Sequence, residues 1–165
     1  MRVYVGTYGK YNNGSIEGAW LDIEDYSDKD EFLEACQVLH GEGEHEFMFQ
    51  DHEDIPEKLI SESSIDALLW DEFLGLTSDM QEAVSLYWSE IDDTADIESI
   101  TEAYQGEYDD IEDYATQFVA DTQDLGALGW LARHIDYASI ARDMELGGDI
   151  ETVDNGGKVL IFNRV

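Results

Sequence analysis

The sequence predicts an α+β protein made of three small domains in an elongated arrangement. Three observations support this: strand periodicity near both ends, helical periodicity between them, and a net charge of −32 over 165 residues. Alternating apolar residues indicate strands, and repeats of three and four indicate helices. Because like charges repel across a compact surface, an elongated shape is favoured. The predicted domains are 1–58 (N-terminal antiparallel sheet plus helix), 59–104 (central helical) and 105–165 (C-terminal helices plus a β-hairpin).

The N-terminal domain is predicted from alternation followed by helical spacing. Val3, Val5 and Thr7 alternate with other residues, and the Asn-Asn-Gly run at 12–14 is typical of a hairpin turn. A second strand is expected over 16–23 and a third over 46–51. Between them we expect a helix that is capped by Ser27 and ends at Gly41, with Phe32, Leu33 and Cys36 on its apolar side.

The central and C-terminal domains are read mainly from helix caps and apolar spacing. Ser64 is expected to cap one helix, Ser78 a second with Gln81 completing a capping box, and Asp96 a third. In the C-terminal domain we expect a helix through 111–119, a helix from about His134 to Leu146, and a hairpin of 149–153 with 158–163.

The helix predicted from His134 to Leu146 is apolar on two sides. Ile135, Ala138 and Leu146 lie on one side, and Tyr137, Ile140, Ala141 and Met144 lie on nearly the opposite side. Such a helix is either buried in the centre of a core or shared between a core and a partner. One hypothesis is a homodimer interface, and the alternative is an ordinary core helix.

The charge distribution restricts the classes of partner. Between Lys58 and Arg133 the sequence has 19 Asp and Glu and no Lys, Arg or His. An acidic surface repels nucleic acid and anionic lipid, so the expected partner is basic, with no nucleic acid and no membrane. The N-terminus does not resemble a signal peptide, and a single cysteine, Cys36, suits a reducing compartment. We therefore expect a cytoplasmic protein.

The sequence favours a protein without catalysis, cofactor or bound metal. It has no GxSxG elbow, phosphate-binding loop or HExxH motif. His40, His45 and His52 have no standard metal-ligand spacing, and the Asp-rich runs at 92–96 and 109–113 lack the glycine and glutamate of an EF-hand. Cys36 lies on an apolar helix side and is expected to be a core residue.

Two interpretations of the acidity remain. One is a solvated surface adapted to high salt, in a protein that binds another basic or DNA-binding partner. The other is imitation of nucleic acid: B-DNA has about one negative charge per ~1.7 Å of axis, so a charge of −32 corresponds to about 16 base pairs.

Four segments resemble the ArdA-type antirestriction family. They are MRVYVGTYGKYNNGSIEGAW at 1–20, GEYDDIEDYATQFV at 106–119, LGALGWLARHIDYASIARDMELGGDI at 125–150 and KVLIFN at 158–163. The resemblance implies a three-domain DNA mimic, carried by mobile genetic elements. It would form a homodimer and occupy the DNA-binding groove in the methyltransferase core of type I restriction-modification enzymes.

The resemblance also implies two sets of site residues. The dimer interface would include Leu128, Trp130, Ile135, Tyr137, Ile140 and Met144. The partner-binding surface that replaces DNA phosphates would include Asp92, Asp93, Asp96, Glu98, Glu102, Glu107, Asp109, Asp110, Glu112 and Asp113.

Overall fold

A computed structural model describes residues 1–41, 43 and 46–164. It confirms the α+β class, with an N-terminal three-stranded sheet, central helices and a C-terminal sheet. The chain separates into two compact units, Met1–Gln81 and Glu82–Val165, each described by itself below. The three-domain division at residues 58 and 104 stays a prediction.

The first unit begins with a sheet covered on one side by a helix. Its strands have the order β2-β1-β3 and are antiparallel. Val3 and Val5 are fully buried on the same side as Phe32 and Cys36. The elements of this unit are β1 (Arg2–Thr7), α1 (Tyr8–Asn12), β2 (Ala19–Asp22), a 3₁₀ turn (Ile23–Asp25), α2 (Lys29–His40), β3 (Phe47–Glu53), β4 (Ile60–Ser61), β5 (Ser64–Ile65), α3 (Leu68–Asp71) and a 3₁₀ turn (Phe73–Gly75).

The connection between the first two strands differs from the predicted hairpin turn. The short helix α1 follows β1 directly, because the Thr7 hydroxyl accepts a hydrogen bond from the Lys10 amide at 3.1 Å. The Tyr4 hydroxyl then donates to the carbonyl of Ile16 and accepts from the amide of Gly18. The second strand therefore starts at Ala19 and not at residue 16.

Two of the predicted helix starts in the first unit are wrong. Asp28, not Ser27, caps α2 by accepting from the Glu31 amide at 2.8 Å, while Ser27 donates to the Glu31 carboxylate. Ser64 caps no helix, because it pairs with Ser61 in the β4–β5 hairpin. The predicted end of α2 at Gly41 is confirmed, with a φ of 99° that suits glycine.

The second unit has a sheet of order β6-β8-β7, packed by helices. Phe162 and Ile161 on β8 are fully buried, and the Tyr87 and Tyr104 rings lie 4.9 and 5.3 Å from the Phe162 ring. The elements from Ser78 onward are α4 (Ser78–Glu90), α5 (Ile97–Ala103), β6 (Tyr104–Tyr108), α6 (Ile111–Thr122), α7 (Leu125–Leu128), a 3₁₀ segment (Gly129–His134), α8 (Tyr137–Gly147), β7 (Ile150–Asn155) and β8 (Lys158–Asn163).

Three predictions for these helices and strands need correction or extension. Thr77, not Ser78, caps α4, because the Thr77 hydroxyl accepts from the Met80 amide and Ser78 is already helical. Ser78 and Gln81 therefore form no capping box, and the Gln81 side-chain amide donates to the carbonyls of Phe73 and Leu76. The predicted C-terminal hairpin is confirmed as β7–β8, and a third strand, β6, joins it. The two-sided helix begins at Tyr137, three residues later than expected.

A helix that crosses a bilayer must be both long and apolar. Within the described ranges, no helix combines these two properties.

We predict that Phe162→Ala destabilises the second unit by about 3–5 kcal/mol, because it removes a fully buried ring and leaves a cavity. Chemical denaturation followed by circular dichroism measures this loss. Leu39→Ala is the control, since that side chain is 39 % exposed, lies in the first unit and should give a much smaller loss. Equal losses for the two variants would contradict the assigned core.

Candidate partner-binding surfaces

The structure exposes every carboxylate that the resemblance assigns to the phosphate-like surface. All of them belong to the second unit, between the end of α4 and the first turn of α6. We call this set the acidic surface; its members are Asp92, Asp93, Asp96, Glu98, Glu102, Glu107, Asp109, Asp110, Glu112 and Asp113.

Apolar spacing explains why the acids on α5 point outward. Ile97, Ile100 and Ala103 are buried, so the helix turns Glu98 and Glu102 away from the core. The first turn of α6 places Glu112 and Asp113 in the same way, since the buried positions follow from Tyr114 onward. Burial of one helix side thereby exposes a row of carboxylates on the other.

Three of these acids also accept hydrogen bonds from nearby backbone amides. Asp96 caps α5 by accepting from the Ser99 amide at 2.8 Å, and Asp110 caps α6 by accepting from the Asp113 amide at 2.8 Å. Asp92 accepts from the amide and hydroxyl of Thr94. Such caps contribute about 0.5–2 kcal/mol each, and a helix N-terminus favours negative charge. Local structure therefore offsets part of the repulsion among the acids.

Within the acidic surface, the carboxylate of Glu107 is neutralised by a cation. Its carboxylate accepts from the Lys158 ammonium at 2.7 Å and from the Asn155 amide at 3.1 Å. The hydrogen bond and charge of Lys158, with Asn155, lower the pKa of Glu107 below its ordinary value. Glu107 is therefore less available to a partner than a carboxylate without a neighbouring cation would be.

Two cations near the acidic surface were not predicted from the sequence. Lys158 reaches Glu107 through the β6–β8 ladder, in which Glu107 faces Leu160. Arg164 lines a cavity of about 530 Å³ together with Asp92 and Asp96. Both cations are far from these acids in sequence, so only the strand pairing of the C-terminal sheet could have indicated them.

A second candidate surface consists of exposed apolar side chains on and near the 3₁₀ segment after α7. Every side chain from Leu125 to His134 is exposed or half-buried. Leu128 and Trp130 from the predicted dimer interface are 41 % and 65 % exposed, and the Trp130 ring contacts the His134 ring at 5.6 Å. Phe118 and Leu131 are also exposed, although the sequence did not indicate an interface role for them, and so is Leu146, which belongs to one apolar side of the two-sided helix. We call Phe118, Leu128, Trp130, Leu131 and Leu146 the apolar surface.

The other four predicted interface residues are half-buried: Ile135, Tyr137, Ile140 and Met144. Met144 packs against the buried cluster of Tyr114, Ile150 and Ile161. Ala141 is buried, whereas Ala138 and Leu146 are exposed. One side of α8 therefore contributes to the core of its own unit, and the opposite side is accessible.

The residues considered for metal binding have other contacts. The two ring nitrogens of His40 lie 3.2 Å from the Lys10 ammonium and 3.1 Å from the Val5 carbonyl. His45 and Glu44 lie outside the described residues. Over the described ranges, no group of three or more His, Cys, Asp or Glu side chains could hold a metal ion.

Cys36 is part of the core of the first unit. It is fully buried, and this burial raises the pKa of its thiol to about 12. The thiol is therefore protonated at neutral pH, and it has little reactivity as a nucleophile.

Comparison with known proteins gives one match. Residues 3–159 match the family model described as Antirestriction protein (ArdA). The searches of curated proteins and of solved structures gave no match.

We predict that Lys158→Met raises the pKa of Glu107 toward its ordinary value, because Lys158 is the main cause of the lowered pKa. The lowered pKa stabilises the fold above the ordinary carboxyl pKa, and this contribution is lost as the pH falls through the lowered value. An NMR titration of the Glu107 carboxyl carbon measures the shift, with Lys29→Met as the control. An unchanged titration would show that Lys158 does not pair with Glu107 in solution.

Proposed function

Because the chain belongs to the ArdA family of antirestriction proteins, we propose that it inhibits type I restriction-modification enzymes by occupying their DNA-binding groove. In this proposal, the acidic surface stands where DNA phosphates would lie against the methyltransferase core. The family is antirestriction and is not a known enzyme family, so inhibition by binding needs no catalytic step. The protein would act in the cytoplasm, where incoming DNA meets the restriction enzyme.

One observation supports DNA mimicry above the others. The members of the acidic surface are all exposed, in a stretch of sequence with no Lys, Arg or His between Lys58 and Arg133. A folded protein usually mixes charges of both signs on its surface. The whole chain has a net charge equivalent to about 16 base pairs of DNA, using two phosphates per base pair.

Caps and helix packing favour this role because they fix the carboxylates before binding. A carboxylate that already accepts a backbone hydrogen bond, such as that of Asp96 or Asp110, loses little conformational freedom when a partner binds. Affinity would come from the release of counterions, as it does for DNA itself. Phosphate contacts do not report base sequence, so the inhibitor would act on enzymes of different DNA specificity.

We further propose that two copies associate through the apolar surface and the accessible side of α8. Several exposed large apolar side chains fall within residues 118–146, and exposed apolar patches are typical of protein–protein interfaces. Trp130 supplies a large ring of the kind that dominates interface energies. Arg133 and Arg142 lie in this part of the sequence and would reduce the repulsion between two acidic chains.

We predict that removing single carboxylates weakens inhibition in small steps, because the attraction is spread over many sites. Asp110→Asn removes charge and keeps a helix cap, since Asn caps as well as Asp, whereas Asp110→Ala removes both. Glu112→Gln removes charge at an exposed position without a cap. The measurement is binding to a type I methyltransferase core with increasing salt, with and without a competing 30-base-pair duplex.

Wild-type binding should weaken steeply as salt rises, and the duplex should displace the protein. Asp110→Asn and Glu112→Gln should behave alike, and a variant with several such changes should show a shallower salt dependence. Loss of all binding in Asp110→Asn alone would indicate a localised site. The salt-adapted interpretation would instead be favoured if binding changed neither with salt nor with added duplex and if the protein unfolded at low ionic strength.

We predict that Trp130→Asp halves the mass of the particle in solution, because it places a charge within the proposed dimer contact. Trp130 is 65 % exposed, so the change leaves the monomer core intact. Light scattering after size exclusion measures the mass. Val38→Asp is the matched control, since Val38 is 86 % exposed in the first unit and should leave the mass unchanged. A Trp130→Asp protein with wild-type mass would exclude this interface.

A further inference from the structure

The outer face of the N-terminal sheet combines aromatic rings with carboxylates. In the antiparallel register, Tyr4 faces Trp20 on one neighbouring strand and Asp51 on the other, so these three side chains form one row. Arg2 similarly faces Asp22 and Glu53 in the adjacent row. Because side chains alternate along a strand, these rows point away from the buried Val3 and Val5.

A groove of about 670 Å³ opens on this face. Its lining includes the rings of Tyr4, Tyr11 and Trp20 and the carboxyl-bearing residues Asp51 and Glu62. Tyr11 is 51 % exposed, and Trp20 is 37 % exposed. Neither Asp51 nor Glu62 forms an ion pair with any part of the chain that the structure describes.

The groove is held in a fixed form by hydrogen bonds. The Tyr4 hydroxyl accepts from the Gly18 amide at 3.0 Å, and the Tyr4 and Trp20 rings meet edge to face at 5.5 Å. The Phe49 amide donates to the Glu62 carbonyl at 2.8 Å, which ties the β4–β5 turn to β3. A preformed groove binds with less loss of conformational entropy than a flexible one.

The chain itself shows which chemistry this face accepts. The Arg2 guanidinium lies 4.7 Å from the centre of the Trp20 ring. The same guanidinium donates two hydrogen bonds to the Glu53 carboxylate, at 2.7 and 2.8 Å. An aromatic ring beside a carboxylate is well suited to arginine, because the planar guanidinium stacks on the ring and donates two parallel hydrogen bonds to the carboxylate.

We propose that the groove binds an arginine side chain of the partner protein, stacked on the aromatic rings and paired with Asp51 and Glu62. Charge complementarity supports this occupant, since the face has more carboxylates than cations and would repel a phosphate backbone. For the identity of the partner, this inference rests on the proposed function, in which a type I restriction enzyme supplies the arginine. The contact is separate from the acidic surface, because it needs aromatic rings that DNA phosphates do not offer.

The test is an NMR titration of the full chain with the peptide acetyl-Gly-Arg-Arg-Gly-amide in 0.5 M NaCl. At this salt concentration, diffuse attraction to the many exposed acids is largely screened. We expect saturable shifts of the Trp20 indole N–H, with little change at the backbone N–H of the exposed Glu98 in the acidic surface as an internal control. The lysine analogue of the peptide should bind more weakly, and an oligothymidylate should cause no shift.

Variants identify the groups responsible. Trp20→Leu and the pair Asp51→Asn/Glu62→Gln should each weaken peptide binding about tenfold, as expected for loss of a stacked or paired cation. The pair Asp93→Asn/Glu98→Gln removes the same charge elsewhere and should have no effect. The Asp51/Glu62 variant alters only exposed side chains, so it remains informative if Trp20→Leu fails to fold.

Several results would overturn the inference: equal shifts at Trp20 and Glu98, binding unaffected by the Asp51/Glu62 changes, or binding of the oligothymidylate. An inhibition assay separates this outcome from failure of the proposed function. If the wild-type protein inhibits a type I enzyme but does not bind the peptide, only the proposal of an arginine-binding groove is contradicted. If the protein binds the peptide at Trp20 but inhibits no such enzyme, the arginine-binding groove is supported and the proposed partner is excluded.

Discussion

Repulsion among carboxylates is the constraint on which the rest of this structure depends. The chain has 40 Asp and Glu against 8 Lys and Arg, so folding brings like charges closer together. Each unit opposes this with an apolar core in which large side chains, such as Phe32 and Phe73 in one and Phe162 in the other, are fully buried. Hydrophobic burial is independent of salt to first order, whereas the repulsion is screened by it. Stability and charge are therefore supplied by different sides of the same helices.

The helix termini show how the chain accommodates its acids. In the part of the chain that the structure describes, five helices are capped by an aspartate whose side chain accepts from the amide three residues later: Asp28, Asp96, Asp110, Asp124 and Asp136. In Asp136, hydrogen bonds from the Ser139 amide and hydroxyl lower the pKa, so this carboxylate stays charged at a lower pH than usual. Acids at helix starts are favoured by the helix dipole. A sequence with many aspartates can therefore use them as structural caps while it keeps them exposed.

Elements with a strong local periodicity were predictable from the sequence, whereas elements that depend on distant pairing were not. The alternation of Val3 and Val5, and the cap at Asp96, are local signals, and the structure confirms both. The β6 strand has the sequence YQGEY, which lacks clear alternation and forms through its ladder with β8. The Ser64 helix was wrong for a local reason: Ser64 pairs with Ser61 across a tight turn, and serine is found both at helix starts and in turns. In the acidic surface, exposure could be predicted from helix spacing, but neutralisation of Glu107 by Lys158, 51 residues away, could not.

The two proposed contacts with a partner would act at different stages of binding. Exposed carboxylates attract a cationic groove over roughly a Debye length, about 8 Å at physiological salt, so they mainly increase the rate of association. A stacked and paired arginine acts only at contact, so it mainly decreases the rate of dissociation. With mimicry by charge alone, the inhibitor would dissociate from the enzyme as readily as non-specific DNA does. An aromatic groove beside Tyr4 and Trp20 offers the partner an interaction that its DNA substrate lacks, and this difference would let a small acidic protein outcompete a much longer polyanion.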